Sequence, residues 1–205
     1  MKQLLIILVP LLFSSTAIRS QSPSHEERRL TNYILKECSW SDGIDSARVL
    51  TAVMHMLDLY GVKRVRFIRN KTGSSHFIPF IGVLYLNLKD TANVCRILSA
   101  ELAHAAQFSA RPFHYVRKTF GACIEAFFTS FVLSRAERKQ VRKLMSEKGC
   151  PRWKAKLWVA WGRQYRRGNT LEGEAHILIE PMIYEQLMLA IYRIPVGIAL
   201  GPSSP

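Results

Sequence analysis

Ile97-Leu98-Ser99-Ala100-Glu101-Leu102-Ala103-His104-Ala105-Ala106-Gln107 sets one acid and one imidazole inside an otherwise small and apolar run. A helical period holds from Thr91 to Ser109, with Asp90 as its expected cap. Side chains three or four residues apart share a helix face, so Glu101 and His104 point the same way, with Gln107 behind them. Further along, Glu172-Gly173-Glu174-Ala175-His176 again spaces an acid and a histidine by one turn. The preceding Asn169-Thr170-Leu171-Glu172 has capping-box spacing and opens a helix that runs towards Ile191, with Pro181 as a candidate kink.

Upstream of the first segment the period is two. Val62, Arg64, Arg66 and Ile68 fall on one strand face, and Lys63, Val65, Phe67 and Arg69 on the other. Asn70 to Ser75 reads as a turn, and Phe77 to Leu88 as a second apolar strand split by Pro79 and Gly82. The expectation is an antiparallel β-hairpin with a long loop, and His76 beside that loop is expected to be exposed. Before it, Leu30 to Trp40 predicts a helix, Ser41-Asp42-Gly43 a turn, and Ile44 to Tyr60 a second helix capped by Asp42. After it, Arg117 to about Ser146 predicts one long helix and Pro151 to Arg166 another. The fold class is therefore α+β and mostly helical, without repeats or a second domain.

Zinc peptidases place two histidines four apart on a helix, with a glutamate beside the first; the histidines hold metal and the glutamate activates water. The run from Ile97 to Gln107 resembles the active-site helix of the zincin metallopeptidases. The segment at Glu172 resembles the Glu-x-x-Ala-Asp helix of one branch of them. The likeness covers residues 62–110 and 168–180. It implies a zincin-like fold, with a small β-hairpin followed by the motif helix and several more helices. It also implies zinc as cofactor, Glu101 as general base, His104 as the second metal-binding histidine and Glu172 as the third ligand, with His176 where the family carries aspartate. One position departs. Ala100 stands where the first metal-binding histidine belongs, and a methyl group cannot coordinate zinc. Catalytic zinc takes three protein ligands and an open position. His104 and Glu172 supply two, and His176, one turn from Glu172, is a replacement that no spacing rule demands. The resemblance thus implies a degenerate member without ordinary peptidase activity. Two other readings stand beside it: an atypical metal-dependent hydrolase, and a non-catalytic exported protein that binds a polyanion. A buried cluster in which Glu101, His104, Glu172 and His176 simply hydrogen-bond to one another is the structural alternative.

The polyanion reading comes from charge. The chain carries 29 Lys and Arg against 15 acids, a net charge of +14. Twelve of those cations and only two acids, Glu137 and Glu147, lie between Arg135 and Arg167. Arg138, Lys139, Arg142, Lys143, Arg163, Arg166 and Arg167 are the candidate contacts to an anionic membrane, an acidic polysaccharide or an acidic protein. Nothing points to a specific nucleic acid. Trp153, Trp158 and Trp161 interleave with these cations, and Trp158 and Trp161 with Leu157 and Tyr165 read as core. No glycine-rich phosphate loop and no serine nucleophile elbow occurs, and Cys123 has no histidine in a recognisable signature.

Lys2, the apolar run Leu4–Phe13 and the small residues Ser15-Thr16-Ala17 read as an export signal over residues 1–17, giving a secreted or periplasmic protein. Cleavage after Ser20 is the alternative site. Residues 18–29 are expected to be loose, 30–200 to form one domain and 201–205 to fray. Residues 119–134 come nearest to a later transmembrane span, and Glu125 interrupts them. Cys38, Cys95, Cys123 and Cys150 suggest two disulfides in an exported chain. The pairing of Cys123 with Cys150 is disfavoured if one helix holds them roughly 40 Å apart.

Overall fold

A computed structural model of the protein describes residues 22–38, 44–68, 74–87, 93–167 and 170–192. The expected signal, the Ser41-Asp42-Gly43 turn, the Asp90 cap and the tail 201–205 lie outside them. Helix α1 (His25–Glu37) starts earlier than its apolar spacing implies, because Ser24 and Glu27 form a capping box. The Glu27 amide donates to Ser24 Oγ (3.3 Å) and the Ser24 amide to Glu27 Oε2 (2.7 Å), so residues 25–29 are helical rather than loose. Helix α2 (Ser46–Leu59) is capped by Asp45, whose carboxylate accepts from the Arg48 amide at 2.7 Å.

The expected hairpin between residues 62–69 and 77–88 does not form as such. Pro79 has no amide proton and opens a 3₁₀ turn (Pro79–Ile81), and Gly82 closes it in the left-handed region at φ 64°. A Cβ on Gly82 would sit 2.9 Å from Lys63 Cγ and 3.1 Å from the Gly61 carbonyl, so both backbone and space require glycine. The second apolar stretch therefore folds on itself. Strands β2 (His76–Ile78) and β3 (Val83–Leu86) pair antiparallel, and β1 (Arg64–Phe67) lies parallel to β3, giving the order β1-β3-β2.

Helix α3 (Val94–Ala110) has no side-chain cap of its own; Glu37 at the end of α1 accepts from the Cys95 amide at 3.0 Å and serves in that role. The long helix expected over Arg117–Ser146 is two: α4 (Pro112–Thr129) and α5 (Arg135–Lys148). Ser134 and Glu137 make a second capping box, and this local restart overrides the continuous periodicity. The separation of Cys123 from Cys150 by one rod consequently falls away. All four cysteines are free thiols, Cys123 exposed and the others buried. Helix α6 (Arg152–Trp161) ends at Gly162, short of the expected Arg166, and a 3₁₀ turn covers Gln164–Arg166.

The last helical run has three parts: α7 (Leu171–Glu174), a π turn (Ala175–Ile179) and α8 (Glu180–Tyr192). Thr170 caps it, accepting from the Gly173 amide at 3.0 Å, and Asn169 lies outside the described residues. The wide turn precedes Pro181, which has no proton for the Ile177 carbonyl, so the proline is absorbed without breaking the helix. The main core gathers Leu30, Ile34, Leu57, Leu84, Leu98, Leu102 and Leu187, all fully buried from α1, α2, β3, α3 and α8. Burying each such side chain stabilises by about 1.5–3 kcal/mol. A smaller cluster of Leu133, Val141, Cys150, Ala155 and Val159 joins α5 to α6. Trp158 and Trp161 are only half-buried and Tyr165 is exposed, so they are not the core the sequence suggested. Among the described residues no helix is long and apolar enough to cross a membrane.

Ser134→Ala removes the cap that restarts α5, and should destabilise the protein by about 1 kcal/mol and lower Tm by about 2–4 °C for a chain of this size. Thermal unfolding followed by circular dichroism checks this; an unchanged Tm would mean that packing alone sets the break.

Candidate metal centre

Helix α3 and the α7–π run pack so that the Glu101–His104 face meets the Glu172–His176 face. Imidazole atoms of His104 and His176 and a carboxylate oxygen of Glu172 all lie within 4.8 Å of one another. Glu172 Oε2 is 3.3 Å from His104 Nε2 and 3.7 Å from His176 Nε2. The three groups come from two helices, and the local sequence fixes each. Thr170 starts α7, which sets Glu172 in its first turn, where the unpaired backbone amides favour a carboxylate. Gly173 is required beside it: a Cβ there would lie 1.8 Å from the Arg167 carbonyl oxygen. His176 follows in the π turn.

Each donor group is held from behind. His104 Nδ1 lies 3.2 Å from Gln107 Oε1, so the Nδ1–H donates outward and the Nε2 lone pair faces the cluster. Gln107 is fixed in turn, donating to the Leu171 carbonyl (2.9 Å) and to Glu174 Oε2 (3.3 Å). His176 Nδ1 contacts the carboxylate of Glu180, which Arg96 also holds at 3.1 Å. Trp161 Nε1 donates to Glu172 Oε1 at 3.2 Å, which leaves Oε2 for the interior. Such outer partners set the tautomer and orientation of metal-binding groups.

Two carboxylate oxygens, Glu172 Oε2 and Glu101 Oε2, are buried without a hydrogen-bond partner. Buried polar atoms are normally satisfied, so these oxygens have room for a further partner beside the imidazoles. Two imidazoles and one carboxylate are the donor set of a catalytic zinc site with a further position open. The residues fit a divalent metal, and zinc suits them best. The Phe77 amide of β2 lies against the Glu101 carboxylate.

Electrostatics follow from the same geometry. Burial pushes Glu101 up to about 7; the His104 imidazole offsets part of this and the Glu172 carboxylate adds to it. Burial disfavours a charged His104, yet the carboxylates of Glu172 and Glu101 outweigh it and raise its pKa. Burial favours a neutral Glu172, but His104, His176 and Trp161 together leave its carboxyl below the usual range. Tyr165 lies over the His176 ring at 4.6 Å between centroids, and Tyr115 meets His104 edge-on at 6.4 Å. An apolar cavity of about 110 Å³ lies behind Gln107 and Tyr115 and includes none of the three donor residues.

The sequence reading located the four cluster residues and Gln107. It missed Trp161 as a partner, Glu180, Arg96, Tyr115 and Tyr165. Glu180 was findable: Glu172, His176 and Glu180 recur every four residues on one helix stripe. Arg96 reaches Glu180 from α3 itself, and Trp161, Tyr115 and Tyr165 come from other elements. Ala100 is one turn before His104 and partly exposed. Among the basic candidates, Arg138, Lys139, Arg142, Lys143 and Arg166 are exposed. Arg163 instead clasps Glu137 through Nε (2.7 Å) and Nη2 (2.8 Å), holding that carboxyl down at about 2, and Arg167 binds Glu125 at 2.6 Å. No family model matches the chain, and no curated protein or solved structure is significantly similar to it.

Titration with zinc should show one site. His104→Ala, Glu172→Gln or His176→Ala should each weaken it by more than the roughly 10–100-fold expected for the outer-shell change Glu180→Gln. Affinity should also fall as the pH drops through the raised pKa of His104, because protons compete for Nε2. Equal binding by all four variants would place the metal elsewhere. Gly173→Ala offers a separate check on positioning: the added methyl must push α7 from Arg167, so zinc affinity should fall although no donor is lost.

Proposed function

We propose that this protein is an atypical, zincin-like metal-dependent hydrolase in which His176 takes the role lost at Ala100. The observation that carries the reading is the convergence of donor atoms from His104, Glu172 and His176 within 4.8 Å of one another, with the outer nitrogens of both imidazoles already committed. His104, Glu172 and His176 would hold the metal. A divalent zinc ion in such a set supplies Lewis acidity, polarising a carbonyl and acidifying water.

The chain's own residues provide the rest. Glu101, held near neutrality in its affinity for a proton, suits a general base that takes a proton from water at Oε2 and returns it to a leaving group. Gln107 keeps His104 in the tautomer that leaves Nε2 bare, and Glu180 does the same for His176. The side chain of His176 is 27% exposed, against 12% for His104 and 9% for Glu172, so substrate reaches the cluster from the His176 side, where Tyr165 also stands. Desolvation by its neighbours, with the carboxylates of Glu172 and Glu101, holds the phenol of the partly exposed Tyr165 well above its usual pKa. It stays protonated and can donate to an oxygen that gains charge.

Zinc-loaded protein incubated with an unbiased peptide library and analysed by mass spectrometry should yield new termini. A Glu101→Gln variant should bind zinc as well as the parent yet lose at least about 10²-fold in cleavage rate, the scale of a general base. Cleavage that persists in Glu101→Gln, or tight zinc binding with no turnover of any peptide by the parent protein, would reject this reading.

A further inference from the structure

Helix α4 turns two alanines and one tyrosine inward and most of its large apolar residues outward. Tyr115, Ala122 and Ala126 are buried, whereas Phe113 (92% exposed), Val116, Phe120 (68%), Ile124, Phe127 and Phe128 face solvent. Residues 113, 116, 120, 124 and 127 recur every three or four positions, so they make one continuous stripe. Phe131 (68%) and Val132 (77%) extend it beyond the helix. Scattered exposed apolar residues need no explanation, but a contiguous aromatic stripe of this length marks a surface that something covers.

Charge identifies the cover. Between Arg111 and Ser146 the chain has only two acids, Glu125 and Glu137. Both are paired from within, Glu125 by Arg167 and Glu137 by Arg163, and the next acid, Glu147 near the end of α5, lies 3.8 Å from Lys143. Arg111 and Arg117 are exposed on α4, and Arg135, Arg138, Lys139, Arg142 and Lys143 are exposed on α5, which begins three residues after Val132. An acidic polysaccharide would answer the cations but offer nothing to the phenylalanines. A second copy of this chain would bury the phenylalanines but bring like-charged arginines together. An anionic bilayer offers both partners at one depth, acyl chains for aromatic side chains and head groups for basic ones. We infer that the α4 stripe, with the exposed cations of α4 and α5, seats this protein on the surface of a membrane rich in anionic lipid. This inference does not depend on the metal site.

Co-sedimentation of the full chain with phosphatidylcholine vesicles, with and without phosphatidylserine, tests it. Partitioning should rise at least tenfold with phosphatidylserine and weaken as salt screens the charges. The exposed-site variant Phe120→Ser/Phe127→Ser/Phe131→Ser should lose at least tenfold in partitioning on both vesicle types while its thermal unfolding stays unchanged. Arg138→Glu/Arg142→Glu/Lys143→Glu should abolish the phosphatidylserine preference and leave the weaker binding to phosphatidylcholine. Comparing variants within the full chain cancels any contribution from the apolar run Leu4–Phe13. The inference is overturned if the triple serine variant binds vesicles as well as the parent. It is equally overturned if sedimentation velocity shows a parent dimer that the serine variant dissolves while neither binds vesicles, which would make the stripe a contact between copies.

Discussion

Glu172 is a nearly buried carboxylate, and removing such a charge from water costs several kcal/mol unless partners are supplied. Three elements converge to supply them: Trp161 from α6 donates to one oxygen, while His104 from α3 and His176 from the π turn flank the other. The position of α6 against α3 and the start of α7 is thereby tied to a single side chain. The close approach of α7 to the Arg167 carbonyl, which only Gly173 permits, keeps that carboxylate at the required depth. The same carboxylate, with Glu101, raises the affinity of His104 for a proton, and burial chiefly raises that of Glu101.

Outward from this carboxylate the restraint is layered. Gln107 and Glu180 fix the imidazoles, and Leu171, Glu174 and Arg96 fix Gln107 and Glu180. Every layer stands on α3 or on the last helical run, the two elements that also share the fully buried Leu98, Leu102, Ile183 and Leu187. Rigidity at the cluster therefore derives from the main core and not from loops. The π turn is the one irregular piece, and it serves two ends: it absorbs Pro181 and carries His176.

The other half of the molecule is built differently. The cluster between α5 and α6 is small, and its restraints are polar: the Ser134 capping box, the Arg163–Glu137 clasp and the Arg167–Glu125 pair. Those pairs engage Glu125 and Glu137, while the exposed Glu147 on α5 lies 3.8 Å from Lys143. Large apolar side chains thus stay exposed on α4, and cations stay exposed on α5.

Much of this was legible in the sequence, because the relevant rules are local. Periods of two and about 3.6 placed most of the elements, and spacings of three and four put Glu101 with His104 and Glu172 with His176 before any packing was known. Ser134-Arg135-Ala136-Glu137 and Ser24-His25-Glu26-Glu27 carry the capping-box spacing of the two helix starts that periodicity alone misplaced. Strand pairing was not legible: that β1 lies parallel to β3 depends on hydrogen bonds between residues distant in sequence, and on Gly82 folding the apolar stretch back. Nor was the exposure of α4, since an apolar period of 3.6 is the same whether a helix faces a core or solvent. The sequence by itself determined which residues share a helix face, because that is covalent geometry. Only tertiary structure decided that the two polar faces meet around Glu172, and that the aromatic side of α4 stays exposed among the described residues, because both depend on how helices pack against one another in space.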